Sequence, residues 1–114
     1  MSALGEALAS FRDRVNKDAR LRDMNRDWSR LIRVEPSDGT EAFRVSYQEG
    51  VMEVDRTLEG SFDIVLRAPE EVLARVFSGE ASPTEPYLDG SLTIQGSQED
   101  VLRLDFLSLM IWGE

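Results

Sequence analysis

The stretch AFRVSYQEGVMEVDRTL, residues 42–58, decides the fold. Phe43, Val45 and Tyr47 alternate with Ala42, Arg44, Ser46 and Gln48. After Glu49-Gly50 the alternation resumes, with Met52, Val54 and Leu58 opposite Glu53, Asp55 and Thr57. Neighbouring side chains of a strand point to opposite faces, so this period of two marks strands with one apolar and one wet face. The Glu-Gly pair between the runs predicts a tight hairpin.

The same period extends to both sides. Upstream, Trp28, Ile32 and Val34 alternate with Ser29, Leu31 and Arg33, predicting a strand that ends at Pro36, followed by a Ser37-Asp38-Gly39 turn. Downstream of Gly60, Phe62, Ile64 and Leu66 alternate with Asp63, Val65 and Arg67. Four strands joined by short turns predict an antiparallel meander. Before the strands, Leu4, Leu8, Phe11 and Val15 recur at helical spacing, with Ser2 as N-cap, predicting a helix over about residues 3–16. A second helical turn is expected over 18–25.

After the strands the period returns to that of helices. Pro69, Glu70 and Glu71 open a helix whose apolar face is Val72, Leu73, Val76 and Phe77, and Gly79 lies past its end. Ser82-Pro83-Thr84-Glu85 has the pattern of a capping box, predicting a short helix through Tyr87 and Leu88 that Gly90 stops. Leu92 and Ile94 mark a fifth strand ending at Gly96. Ser97 and Asp100 cap a last helix over about 98–111. Residues 101–112 are VLRLDFLSLMIW, apolar in nearly every direction, with Arg103, Asp105 and Ser108 as the interruptions. A helix covering one side of a sheet needs an apolar stripe over about a third of its circumference. This one predicts a further contact: another helix, a second subunit, a membrane or a ligand.

Composition removes whole classes of chemistry. The 114 residues contain no cysteine and no histidine. Disulfides, thiolate metal sites, the usual zinc ligand and histidine-dependent triads are therefore excluded. The net charge of −9 is unevenly spread. Residues 1–33 carry eight Lys/Arg against five acids, and the remainder five against seventeen. The acidic bulk argues against nucleic acid. The basic N-terminal stretch reads first as a solvated helix face. The sharper alternative is transient contact with an anionic membrane through residues 12–33. No apolar run reaches the roughly 18 residues of a membrane span, and no basic segment precedes an apolar leader, so a cytoplasmic protein is expected.

No catalytic set emerges. Glu70-Glu71 and Glu99-Asp100 are acids at helix starts, and Glu53, Asp55 and Asp63 lie on polar strand faces without a calcium-loop pattern. No glycine pattern fits a phosphate cradle. Neither metal nor cofactor is expected.

The run PEEVLARVFSGEASPTEPYLDGSLTIQGSQEDVLRL, residues 69–104, resembles the sterol carrier protein 2 (SCP2) family of lipid-binding domains. The likeness lies in a helix ending at Gly79, a proline-containing short helix with Tyr87, the Gly90-x-Leu92-x-Ile94-x-Gly96 pattern and a closing apolar helix. With the preceding strands, including SFDIVLRAPEEV at 61–72, it spans about residues 28–112. The resemblance implies an α+β fold, with a five-stranded, mainly antiparallel sheet and helices packed on one face. It implies one domain over 1–114, comprising a helical segment 1–26 and a sheet with lid helices over 27–114.

The implied function is non-catalytic binding or carriage of an apolar lipid, such as a fatty acid, acyl-CoA or sterol-like molecule, in a tunnel between sheet and helices. Phe77, Tyr87, Leu102, Phe106, Leu109 and Met110 are the expected wall residues on the helices. Val54 and Ile64 are added from the sheet, where plain core packing competes. The alternative is an accessory or interaction module whose apolar C-terminal helix docks on a partner enzyme or forms a homodimer. The chain ends IWGE, which is not the peroxisomal Ser-Lys-Leu signal.

Overall fold

The structure is a computed structural model that describes residues 3–39 and 41–103. Its helices are α1 (Ala3–Lys17), α2 (Ala19–Met24), α3 (Glu70–Ser78) and α4 (Thr84–Asp89). Its strands are β1 (Arg30–Pro36), β2 (Phe43–Gln48), β3 (Val51–Asp55), β4 (Ile64–Ala68) and β5 (Thr93–Gln95). Residues 98–103 are helical.

The sheet runs in the order β3-β2-β1-β4-β5. Strands β1 to β3 form the expected antiparallel meander, but β4 does not continue it. It crosses to the free edge of β1 and pairs with it in parallel, while β5 pairs antiparallel with β4. The register supplies the reason. Val54, Val45, Ile32 and Ile64 lie side by side across four strands, and Phe43, Val34, Leu66 and Ile94 form a second row. Placing β4 next to β1 brings Ile64, Leu66 and Ala68 into the middle of the apolar face, where helices cover them. Beyond β3 they would lie at the margin. All three are buried.

One layer of helices covers this face. Helix α1 turns Leu4, Leu8, Phe11 and Val15 inward, and α3 contributes Leu73, Ala74 and Phe77. Phe11 and Phe77 meet edge to face, with centroids 5.4 Å apart at 75°. Asn16 reaches from α1 to edge strand β3. Its Nδ2 donates to Met52 O at 2.9 Å and its Oδ1 accepts from Met52 N at 2.8 Å, which satisfies a backbone pair that would otherwise be open for strand addition. The opposite face of the sheet is wet and ion-paired: Arg44 with Asp55 at 2.7 Å, and Arg33 with Glu35 at 2.7 Å. Phe62, expected on the apolar face, lies instead against the Arg33 guanidinium at 5.9 Å, because the chain bends at Asp63 before β4 begins.

Local sequence accounts for the boundaries. Asp18 caps α2 by accepting from Arg20 N and Leu21 N. Glu49 (φ 51°) and Gly50 (φ 82°) form the predicted two-residue turn between β2 and β3, and both positive φ values match the twist of the flanking strands. Gly79, at φ 86°, ends α3, with Glu80 N donating to Arg75 O at 2.9 Å. Pro69 is the residue before α3, one position earlier than expected, and Leu73 N donates to its carbonyl.

Candidate functional site: an apolar cavity beneath the short helix

A cavity of about 320 Å³ lies between the helices and the β4–β5 side of the sheet. Its floor is formed by Leu66 and Ile94, direct partners across β4 and β5. Leu73, Val76 and Phe77 of α3 form one wall, with Phe11 of α1 behind them. Tyr87 and Leu88 of α4, with Pro83 and Thr84 before them, form the opposite wall. Leu92, Val101 and Leu102 are the remaining lining residues among those described. The only polar side-chain atoms among these residues are the hydroxyls of Thr84 and Tyr87.

Backbone control explains why this space stays open. Helix α4 has only six residues and none of them is buried. Ser82 Oγ accepts from Thr84 N at 3.2 Å at its start, and Gly90 (φ 89°) ends it. Leu92 N donates to Pro86 O at 2.9 Å, closing the loop back onto the helix. The segment is tied by its own short-range bonds and stands away from the core. Leu88 is 77% exposed and Leu102 is 61% exposed, so the mouth has a greasy rim.

The wall contributed by residues 98–103 is held from its other side by a buried polar clasp. Ser97 Oγ accepts from Asp100 N at 3.1 Å, as the capping pattern predicts. The Asp100 carboxylate is buried. It accepts from Trp28 Nε1 at 2.9 Å and from Arg30 Nε, also at 2.9 Å. Burial works to raise the Asp100 pKa. The bonds from Arg30 and Trp28, with the arginine's charge, outweigh it and hold the carboxyl below its usual range. One turn further, Arg103 Nη1 donates to Oδ1 of buried Asn25 at 2.7 Å, and its guanidinium lies 5.5 Å from the centre of the Trp28 ring. Asn25 Nδ2 in turn donates to Leu21 O at 2.9 Å. Asp100 and Arg103 thus face the sheet end, while Val101 and Leu102, between them, face the cavity.

Of the residues expected from sequence to contact a ligand, Phe77, Tyr87 and Leu102 line this cavity. Ile64 does not; it is fully buried in the neighbouring row of the sheet. Val54 sits on β3, on the far side of the sheet from β5. Phe106, Leu109 and Met110, and with them most of the last predicted helix, lie outside the described residues. Sequence reasoning missed Phe11, Leu66 and Val76 as wall residues. Each belongs to a periodic apolar face, and nothing in such a face distinguishes a residue against a neighbour from one against a void.

Among the described residues no three acids come together as a metal-binding group. Asp55 is paired with Arg44, and Asp63 Oδ2 accepts from Leu31 N at 2.8 Å. In the basic N-terminal stretch, Arg12 pairs with Asp13, Arg20 with Asp18 and Arg26 with Asp23. No helix among the described residues is long and apolar enough to cross a membrane.

Comparison with known proteins places this geometry. The SCP-2 sterol transfer family matches residues 6–107. No curated protein matches the chain. Among solved structures, a UbiJ-SCP2 ubiquinone synthesis protein is similar over 95% of this chain and 94% of its own, with a TM-score of 0.74 and 17% identity. The sterol carrier protein domain 2 of Helicoverpa armigera is similar over 98% of this chain and 90% of its own, with a TM-score of 0.75 and 16% identity. Palmitated SCP2L2 from Aedes aegypti is similar over 90% of both chains, with a TM-score of 0.67 and 13% identity. At these identities the solved structures share the fold.

Proposed function

The chain belongs to the SCP-2 sterol transfer family, and from that premise we propose that it binds and carries an apolar lipid in the cavity beneath α4, without covalent chemistry. A fatty acid, an acyl-CoA or a sterol-like molecule is the class of cargo. The observation that carries this reading is the cavity itself. Its volume of about 320 Å³ falls within the range of small-molecule sites, roughly 300–1,000 Å³. Its walls offer two hydroxyls amid otherwise apolar side chains. Such a site binds by area: each buried methylene contributes about 0.8 kcal/mol, so a long hydrocarbon needs no specific polar partner. Phe77, Tyr87 and Leu102 are the proposed contacts.

The test is direct. Native mass spectrometry of protein purified without detergent should show a co-purified lipid, or uptake of Nile red, a neutral apolar dye. A ligand-free spectrum together with no dye uptake sinks the proposal.

The exposed Leu88 and Leu102 favour a second reading, in which the rim docks on a partner enzyme or a second copy. One structural neighbour is named for ubiquinone synthesis, which supports the accessory form of this idea: cargo handed to a separate enzyme. Light scattering separates the two readings. A tight dimer that releases Nile red on association supports docking through the rim, and a dye-binding monomer supports simple carriage.

A further inference from the structure

The size and shape of the cavity set how much cargo it holds. An apolar cavity of about 150 Å³ takes one benzene, which is about 25 Å³ per carbon. At that density the 320 Å³ here accommodates about 13 carbons. The space is blind at its inner end. Leu66 belongs to its floor, yet Val34 and Phe43, which continue the same row across β1 and β2, are buried and do not border it. Phe11 of α1 reaches it, whereas Leu8 and Val15 on the same helix face are 1% and 0% exposed and do not. Core side chains thus fill the space between α1 and the strands β1 to β3. Lengthening the cavity in that direction means displacing Leu8 or Val34 from a close-packed interior. At the outer end the lining residues Tyr87, Leu88 and Leu102 are exposed, so hydrocarbon in excess of the capacity stays partly in water there.

We propose that the cavity is a length gauge with a capacity of about 13 carbons, so that the cargo is a lipid of medium hydrocarbon length rather than a chain of about 16 to 18 carbons or a four-ring sterol. The proposal rests on the carrier function above and narrows it. A carrier takes its cargo from a lipid phase, where every methylene is already out of water. Within the capacity of the cavity, protein and bilayer gain alike from each added carbon. Beyond it only the bilayer gains, by about fourfold in partition per methylene. Longer lipids bind by one end and return to the membrane.

The experiment equilibrates the full chain with phosphatidylcholine vesicles carrying straight-chain carboxylates, which share one head and differ only in length. Protein and vesicles are then separated, and each carboxylate is quantified in both by mass spectrometry. The protein-to-vesicle ratio should stay within about twofold from 8 to about 13 carbons, then fall about two- to fourfold with each further carbon up to about 18. Two variants, checked for folding by circular dichroism, should move the break in opposite directions. Ile94→Ala, which removes about three carbons from the floor, should raise it by about two to three carbons. Val76→Phe, which adds about four to the wall, should lower it by about three to four. A ratio that stays level through the longest chain overturns the length limit, as does a break that both folded variants leave in place. Nile red uptake with no bound carboxylate of any length also overturns it. Failure of both the dye and every carboxylate to bind is a separate result: it removes the carrier function and the length limit with it.

Discussion

Asp100 shows how one side chain serves both the fold and the site. Its carboxylate takes hydrogen bonds from Trp28 and Arg30 while the next two residues meet the cavity, so its loss leaves the buried Trp28 indole N–H and the Arg30 Nε–H without an acceptor, Arg30 Nη1 keeping its bond to Ser29 O. Asp100→Ala should cost about 2–3 kcal/mol in urea denaturation, and Asp100→Asn, which keeps an acceptor, about half as much. The pH dependence follows from the lowered pKa. Its contribution is fully present above the unfolded-state value of about 3.9 and is lost as pH falls through the lower folded value. Wild-type stability should therefore fall more steeply than that of Asp100→Asn below about pH 4; parallel acid curves would show that the clasp adds nothing. Tyr47 is the contrasting case. Burial raises its pKa. Asn25 lies near enough to oppose that shift, but the hydroxyl finds no well-formed hydrogen bond among the described residues. Tyr47→Phe should accordingly change stability by less than about 1 kcal/mol, measured by the same denaturation.

At the scale of elements, the short connections decide geometry. Gly50 takes φ 82°, and a Cβ there would lie 2.5 Å from the Arg22 carbonyl oxygen, because α2 rests directly on the β2–β3 turn. Gly50→Ala should cost about 2 kcal/mol or more, combining left-handed strain with a backbone clash. Gly60→Ala, at φ 90° with open space around it, should cost about 1 kcal/mol from conformation alone. Equal melting losses for the two variants would remove α2 as the cause. Helix α3 makes a different point. Phe77 packs on Phe11 with one side and faces the cavity with the other. Phe77→Ala should cost about 2–3 kcal/mol, less than the 3–5 typical of an aromatic enclosed on all sides, while changing Nile red affinity.

For the molecule as a whole, stability and binding are carried by different residues. The core lies between α1, α3 and the rows on β1 to β4, and the proposed function lies at the looser β4–β5 end. Leu88 illustrates the separation. It is 77% exposed, so Leu88→Gln should leave the unfolding midpoint within about 0.5 kcal/mol of wild type while weakening dye uptake severalfold. A large loss of stability with unchanged uptake would reverse the assignment. Short-range sequence signals determined the helix and strand positions among the described residues, the Glu49-Gly50 turn, the cap at Ser97 and the inward faces of α1 and α3, because these depend on neighbours within a few residues. It also excluded histidine and cysteine chemistry by composition. Tertiary structure alone decided that β4 crosses to β1, that Phe62 turns to the wet face, and that Leu66 and Val76 border a void while Ile64 does not. Strand order and empty space depend on which distant surfaces meet, and an apolar side chain has the same sequence signature whether it touches another residue or the cavity.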